Sequence, residues 1–181
     1  QEIVNLADYR KGHKVRDLII LLAVRTGSRL DLVKLSQELQ IQRATVYSYL
    51  AFLQDTYFIH LVSKLSRSVD REVSGTQKVY FCDNGILRVM ARVSDGQLIE
   101  NAVYNQLKTK GHVSYFRKKS GAEIDFILDK KMAYEVKRTA SPVDVRSLER
   151  MRRLAKLKQG FVVSQQYVKV GKGGVVFGQF L

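Results

Sequence analysis

Residues 123–139 read EIDFILDKKMAYEVKRT, and their alternation decides how the C-terminal half folds. Side chains of an extended strand point to opposite faces in turn. Over 123–128, Ile124, Phe126 and Leu128 fall on one face and Asp125 and Ile127 on the other. Over 132–139, Met132, Tyr134 and Val136 share one face, and Ala133, Glu135 and Lys137 the other. Both apolar rows reach one buried side only if Leu128 lies opposite Met132 and Phe126 opposite Tyr134. The three-residue connection Asp129-Lys130-Lys131 supplies that register. It also sets Asp125 opposite Glu135 on the second face, whereas a slip of one residue would send the two carboxylates to different faces.

Working outward, residues 113–117 form a preceding strand. Residues 97–109 form a helix with an apolar stripe of Ile99, Val103, Tyr104 and Leu107. Glu100 lies within that stripe, where a carboxylate needs a metal or a lysine beside it. Downstream, Ser141-Pro142-Val143-Asp144 is a helix start signal, with Ser as the cap and Pro in the first turn. In that helix Val145, Leu148, Met151, Leu154 and Ala155 are expected to face inward, and Arg146, Arg150, Arg153 and Lys156 outward. Gly160 is expected to end it, followed by a strand at 161–164 and a terminal hairpin of 167–170 and 175–180. The Gly-Lys-Gly-Gly at 171–174 lacks P-loop spacing and reads as a turn, so no nucleotide site is expected. The order is helix, three strands, helix, strand.

The first half has a different pattern. Val15, Leu18, Ile19, Leu22 and Ala23 repeat at helical spacing, and Gly27 suits a left-handed cap. Leu32, Leu35 and Leu39 line a second helix, and Val46, Tyr49, Leu50 and Leu53 a third that lacks a good N-cap at Gln42. Two short amphipathic helices joined by a brief turn make a helix-turn-helix. Strands at 57–65 and 78–82 around a long polar loop form a hairpin, the expected wing. Exposed positions Arg43, Thr45, Tyr47 and Ser48 would face a DNA groove, with Arg67 and Arg71 on the wing tip. The composition shifts near 94–97, so the expected division is residues 1–95, including a bridging helix, and 96–181. The fold class is α+β or α/β.

Lys and Arg total 31 against 17 Asp and Glu, a net charge of +14. Such a field favours polyanions, nucleic acid first. One cysteine excludes an internal disulfide and a thiolate zinc cluster. No apolar run approaches the ~18 residues of a membrane span, and no signal peptide is evident, so a cytoplasmic location is expected. The chain opens on QEIVNLADYR without an initiator Met and is expected to be a piece of a longer polypeptide.

Asp125 and Glu135 offer hard oxygen donors suited to Mg2+ or Mn2+, with the backbone carbonyl of Val136 as a third ligand. Such a metal lowers the pKa of bound water and polarises a phosphodiester. Lys137 is placed to orient that water or to balance transition-state charge, Glu100 is a fourth candidate, and Arg138 beside them is expected among the DNA-binding residues. A lone Glu-x-Lys is more often a surface ion pair; Asp125 in register and the basic chain argue for the site.

Glu100, Asp125 and Glu135-Val136-Lys137 in this order resemble the PD-(D/E)xK nuclease superfamily. The whole chain is similar to the C-terminal region of a family of prokaryotic and archaeal AAA-type ATPases. The resemblance rests on QIQRATVYSYLAFLQDTYFIHLV, KVYFCDNGILR, IENAVYNQL, FRKKSGAEIDFIL and AYEVKRT. It implies a winged helix followed by a nuclease-like domain, an ATPase domain upstream that is absent from these residues, and metal-dependent DNA cleavage. Members of that fold also lose activity and keep binding, so an inactive regulatory module is an alternative, as is a winged-helix transcription regulator. Self-association is compatible with the pattern.

Overall fold

A computed structural model of the chain describes residues 9–66, 75–118, 120–166 and 175–177. These make a mixed α+β structure of six helices and two sheets. Helices α1 (Tyr9–Val24), α2 (Leu32–Leu39) and α3 (Arg43–Asp55) come first. They bury Leu18, Leu22 and Ala23, then Leu35 and Leu39, then Val46, Leu50 and Leu53, in one apolar cluster. Asp31 caps α2 by accepting the Lys34 N–H, while Gln42 before α3 makes no side-chain cap, as the sequence predicts. Strands β1 (Ile59–Val62) and β2 (Lys78–Phe81) pair antiparallel, with Val62 opposite Lys78. The turn after α1 lies along the other side of β2. Gly27 takes the left-handed φ of +78° expected of it, and its N–H donates to the Val79 carbonyl at 2.9 Å.

The second sheet has the order β3 (Val113–Arg117), β4 (Glu123–Leu128), β5 (Met132–Thr139), β6 (Gln159–Gln166) and β7 (Val175–Phe177). Strands β3, β4 and β5 are antiparallel, and β6 and β7 are parallel additions beyond β5. Leu128 pairs with Met132 and Phe126 with Tyr134, the expected register. The connection turns through positive φ at both Asp129 and Lys130, the form that suits the twist of a hairpin.

Both faces of this sheet are covered, whereas the alternation of β4 and β5 suggests one buried side. Helix α5 (Asp95–Leu107) lays Ile99, Val103, Tyr104 and Leu107 on Phe126 and Leu128. Helix α6 (Pro142–Ala155) lays Leu148 and Met151 on Ile127, Ala133 and Val162. Tyr134 is only half-buried, with its ring stacked on Phe161.

The main departure from simple alternation lies in β4. Ser114 pairs with Ile127 and Phe116 with Ile124, so β4 spends three residues where β3 spends two. This is a β-bulge at Asp125-Phe126, and it reverses the facing of the residues before it. Ile124 therefore joins Ile127 and the α6 side, not the Phe126–Leu128 row.

Three further expectations are corrected. Leu154 is 53% exposed, because the α6 stripe turns away from the sheet there. Lys156, in the left-handed region at φ 59°, caps α6 in place of Gly160. Gly160 lies in β6, where a Cβ would stand 3.0 Å from Arg152 Cδ and 3.3 Å from Leu148 Cγ, so its bare Cα lets α6 close on the sheet. Strand β7 runs parallel to β6; the rest of the expected hairpin, and the wing-tip residues Arg67 and Arg71, lie outside the described residues.

Two devices join the halves. Helix α4 (Asn84–Met90), capped by Asp83, leads from β2 towards α5. The fully buried Asn101 of α5 then completes the edge of β2. Its Oδ1 accepts the Phe81 N–H at 2.8 Å and its Nδ2 donates to the Phe81 carbonyl at 3.1 Å. On the opposite side, the chain after β1 pairs with β3: Tyr115 N–H donates to Ser63 at 3.1 Å.

Candidate active site

The site forms where the bulged end of β4 meets β2, β5 and the start of α5. It holds two ion-paired groups with Asp125 between them. On β5, Glu135 and Lys137 are two apart on one strand face, and Lys137 Nζ donates to Glu135 Oε1 at 2.6 Å. On the other side, Lys78 of β2 pairs with Glu123 of β4 and stands 3.5 Å from Glu100 Oε1 of α5. Tyr80, two residues along β2, donates its hydroxyl to the same Glu100 oxygen at 2.7 Å. Arg117 of β3 closes on Glu123 at 2.8 Å.

Asp125 Oδ2 accepts the Val136 N–H at 2.8 Å. The strand pairing stops one step earlier, at Phe126 and Tyr134, so the carboxylate takes the place of a main-chain acceptor. Val136 thus meets Asp125 through its N–H.

Burial drives the electrostatics. It raises the Asp125 carboxyl above its usual range, against the pull of Lys78, the Val136 N–H and Lys137. Burial and then Asp125 push Glu135 up to about 7, in spite of Lys137. Lys137 is nevertheless held more firmly protonated than an ordinary lysine, since Glu135 and Asp125 outweigh its own burial. The two shifts are compatible: Asp125 raises both, because its negative charge disfavours ionised Glu135 and favours protonated Lys137. Glu100 is raised by burial and by Asp125, more than Lys78 and Tyr80 lower it. Glu123 goes down, because Lys78 and Arg117 overcome its burial. Lys78 is held protonated by Glu100, Asp125 and Glu123 against a large desolvation cost.

Asp125 therefore feels both groups, and of the sequence-derived candidates Asp125, Glu135, Lys137 and Glu100 all enter this constellation. Lys78, Tyr80, Glu123 and Arg117 also enter it, and sequence reasoning gave them no role. Two signals were available for them. Lys78 and Tyr80 share a face of an otherwise apolar strand, and Glu123 stands two residues before Asp125. Among the described residues, no three His, Cys, Asp or Glu side chains form a ready-made metal cage. The ion pairs account for this, since Glu100 and Glu123 are held by Lys78. What faces a cation is Asp125 with Glu135, two hard oxygen donors whose mutual repulsion a divalent ion would relieve. In donor chemistry the pair fits Mg2+ or Mn2+.

The expected DNA-facing residues separate. Arg43 and Tyr47 line a groove of about 950 Å3 between α3, the start of α2 and residues 75–77. Thr45 lines a different hollow, beside the α2–α3 turn. Ser48 is exposed and turns its hydroxyl back to the Ala44 carbonyl at 3.1 Å. Arg138 is exposed on β5 and stands 3.5 Å from Asp95.

A family model described as a domain of unknown function (DUF8612) matches residues 1–97, more than half the chain. The chain belongs to the DUF8612 family. A second model, a domain of unknown function (DUF4143), matches residues 95–178. The DUF8612 match ends and the DUF4143 match begins at the first turn of α5, so Lys78 and Tyr80 come from the first segment and Asp125, Glu135 and Lys137 from the second. No curated protein and no solved structure matches the chain. No helix among the described residues is long and apolar enough to cross a membrane.

Proposed function

We propose that this chain is a DNA-directed module with a divalent-metal-dependent phosphodiesterase site, set at the C-terminal end of an AAA-type ATPase. The observation that carries the reading is Asp125. It is a partly buried carboxylate at a β-bulge, with Glu135 and Lys137 on one side and Glu100 on the other. Bulges re-aim side chains beside active sites. The order α5-β3-β4-β5-α6-β6, with β6 parallel to β5, supports a PD-(D/E)xK-type core. Three helices followed by a two-stranded hairpin support a winged helix, with Arg43 and Tyr47 in its groove as the DNA contacts.

In this reading Asp125 and Glu135 hold one Mg2+ or Mn2+. The metal supplies Lewis acidity and an acidified water. Lys137 orients that water and offsets the charge that develops on the phosphate. The net charge of +14 draws the polyanion in.

The test is cleavage of duplex, single-stranded and branched DNA by the purified chain with Mg2+ or Mn2+. Activity that disappears in both Asp125→Ala and Glu135→Ala supports the site. Wild-type protein that cuts none of these substrates with either metal overturns the enzyme reading.

One observation favours a second reading, a binding module without chemistry. Among the described residues, every carboxylate of the site except Asp125 already has an ion-pair partner. That module would bind DNA with the steep salt dependence of phosphate contacts and leave it intact.

A further inference from the structure

Lys78 is an unusual residue to find in a strand interior. Its side chain is 4% exposed, and it reaches from the DUF8612-matched segment into the acidic site of the other. Its position is fixed on both sides of the backbone. Lys78 pairs with Val62 of β1 and, across the other edge, bridges to Arg29. The Tyr115 ring lies 5.5 Å below its ammonium. A lysine so placed has little freedom to leave.

The ammonium does what a bound cation does. It neutralises Glu100 and Glu123 by direct ion pairs, and its charge is felt at Asp125. The charge balance makes the same point. Glu100, Glu123, Asp125, Glu135 and Asp144 bring five negative charges, and Lys78, Lys137 and Arg117 bring three positive ones. Two formal negative charges remain. A single divalent ion neutralises them. A second divalent ion would leave two positive charges unless Lys78 withdrew.

We infer that Lys78 stands in for a second metal ion, so that the site takes a single divalent cation between Asp125 and Glu135 while Lys78 permanently holds the Glu100 and Glu123 side. The inference rests on the metal site proposed above. It makes Lys78 a positioning residue contributed by the first segment, without which the second segment's acidic cluster is a two-cation site.

The experiment is Mn2+ titration of the full chain by calorimetry, with electron paramagnetic resonance at saturation. Wild type is expected to bind one ion per chain and to give an uncoupled six-line spectrum. Lys78→Ala is expected to bind two, Lys78→Arg to return to one, and the Lys78→Ala/Glu100→Gln double variant to lose the second ion. A Lys78→Ala chain that folds and still binds one ion overturns the inference and leaves the metal site standing. Wild type that binds no Mn2+ overturns the metal site itself. Should Lys78→Ala fail to fold, the wild-type spectrum decides. An exchange-coupled pair, with ions about 3.5–4 Å apart as in two-metal sites, overturns the inference, and an isolated ion supports it.

Discussion

The two ends of β4 follow different rules. From Phe126 to Leu128 the strand is regularly paired, and its side chains are buried among apolar neighbours. Phe126 sits against Tyr80 and Tyr104, with ring centroids 5.3 and 6.0 Å away. At Glu123 and Asp125 the strand is bulged and charged, and these two side chains are held by ion pairs and a lone N–H, while Ile124 between them is buried under α6. One end stabilises the fold and the other holds charges against their desolvation. The difference shows that the charged groups are set between packed residues, with Ile124 and Phe126 buried on either side of Asp125.

The largest expected effect breaks the packed end. Phe126→Ala removes a fully buried ring from the contact of α5, β2 and β4. Loss of a buried Phe costs about 3–5 kcal/mol, read as a fall in the urea midpoint at unchanged slope. Asp125→Asn, one residue away, is expected to stay within about 1 kcal/mol of wild type, because the amide oxygen still accepts the Val136 N–H while a raised, partly buried carboxylate is removed. A Phe126→Ala loss no larger than that of Asp125→Asn would erase the contrast between the two ends.

Next in size is the joint between the halves. Asn101→Leu leaves the buried Phe81 N–H without its side-chain partner and the Phe81 carbonyl with Asn105 alone. Unsatisfied buried groups cost about 1–3 kcal/mol. The same exchange loosens the α5 position that sets Glu100 against Lys78 and Tyr80. An Asn101→Leu chain of wild-type stability would mean that α5 docks without this bond pair.

Smaller is the pH dependence of the charged end. Glu135 titrates near 7 in the folded chain against 4.5 as a free side chain. The folded state binds that proton more tightly, so its contribution is fully present below 4.5 and is lost as pH rises to about 7. The thermal midpoint of wild type is expected to fall over that window relative to Glu135→Gln, by about 2–4 °C if ~1 kcal/mol survives relaxation. Glu123 works in the opposite sense, since its lowered pKa makes its contribution disappear in acid. The comparison with Glu135→Gln isolates the one from the other. Equal slopes for the two chains would place Glu135 in a more solvated setting.

Much of this architecture was legible in residues 123–139. The alternation and the three-residue connection forced Leu128 against Met132, and that register is what the chain adopts. Glu100 is legible because a carboxylate in an apolar helix stripe demands a partner, and Asp125, Glu135 and Lys137 because the strand register gathers them. The bulge was not legible, because it depends on how many residues β3 spends opposite β4, and that count is a property of two strands, not of one. Ile124 was therefore assigned to the wrong face. Lys78 and Glu123 were passed over for a related reason. A lysine in KVYF looks like a strand-edge residue until α5 and β4 are folded over it. Leu154 and Gly160 failed locally: a left-handed Lys156 ends the helix early, and glycine served close packing in place of a cap.

The smallest expected effect on stability sharpens the comparison from outside. Arg138 and Asp95 are 64% and 60% exposed and 3.5 Å apart. Solvent screens such a pair, and its double-mutant coupling is expected at about 0–1 kcal/mol. Arg138 follows Lys137 on β5 and is exposed beside Asp95, so a DNA phosphate that reaches it competes with Asp95 for its guanidinium. Arg138→Ala is therefore expected to leave the urea midpoint almost unmoved and to reduce the slope of log affinity for DNA against log salt by about 1. Asp95→Asn, which frees the guanidinium, is expected to raise DNA affinity at low salt. An unchanged salt slope in Arg138→Ala would place the DNA path elsewhere, along Arg43 and Tyr47, and would separate the DNA-binding face from the acidic site.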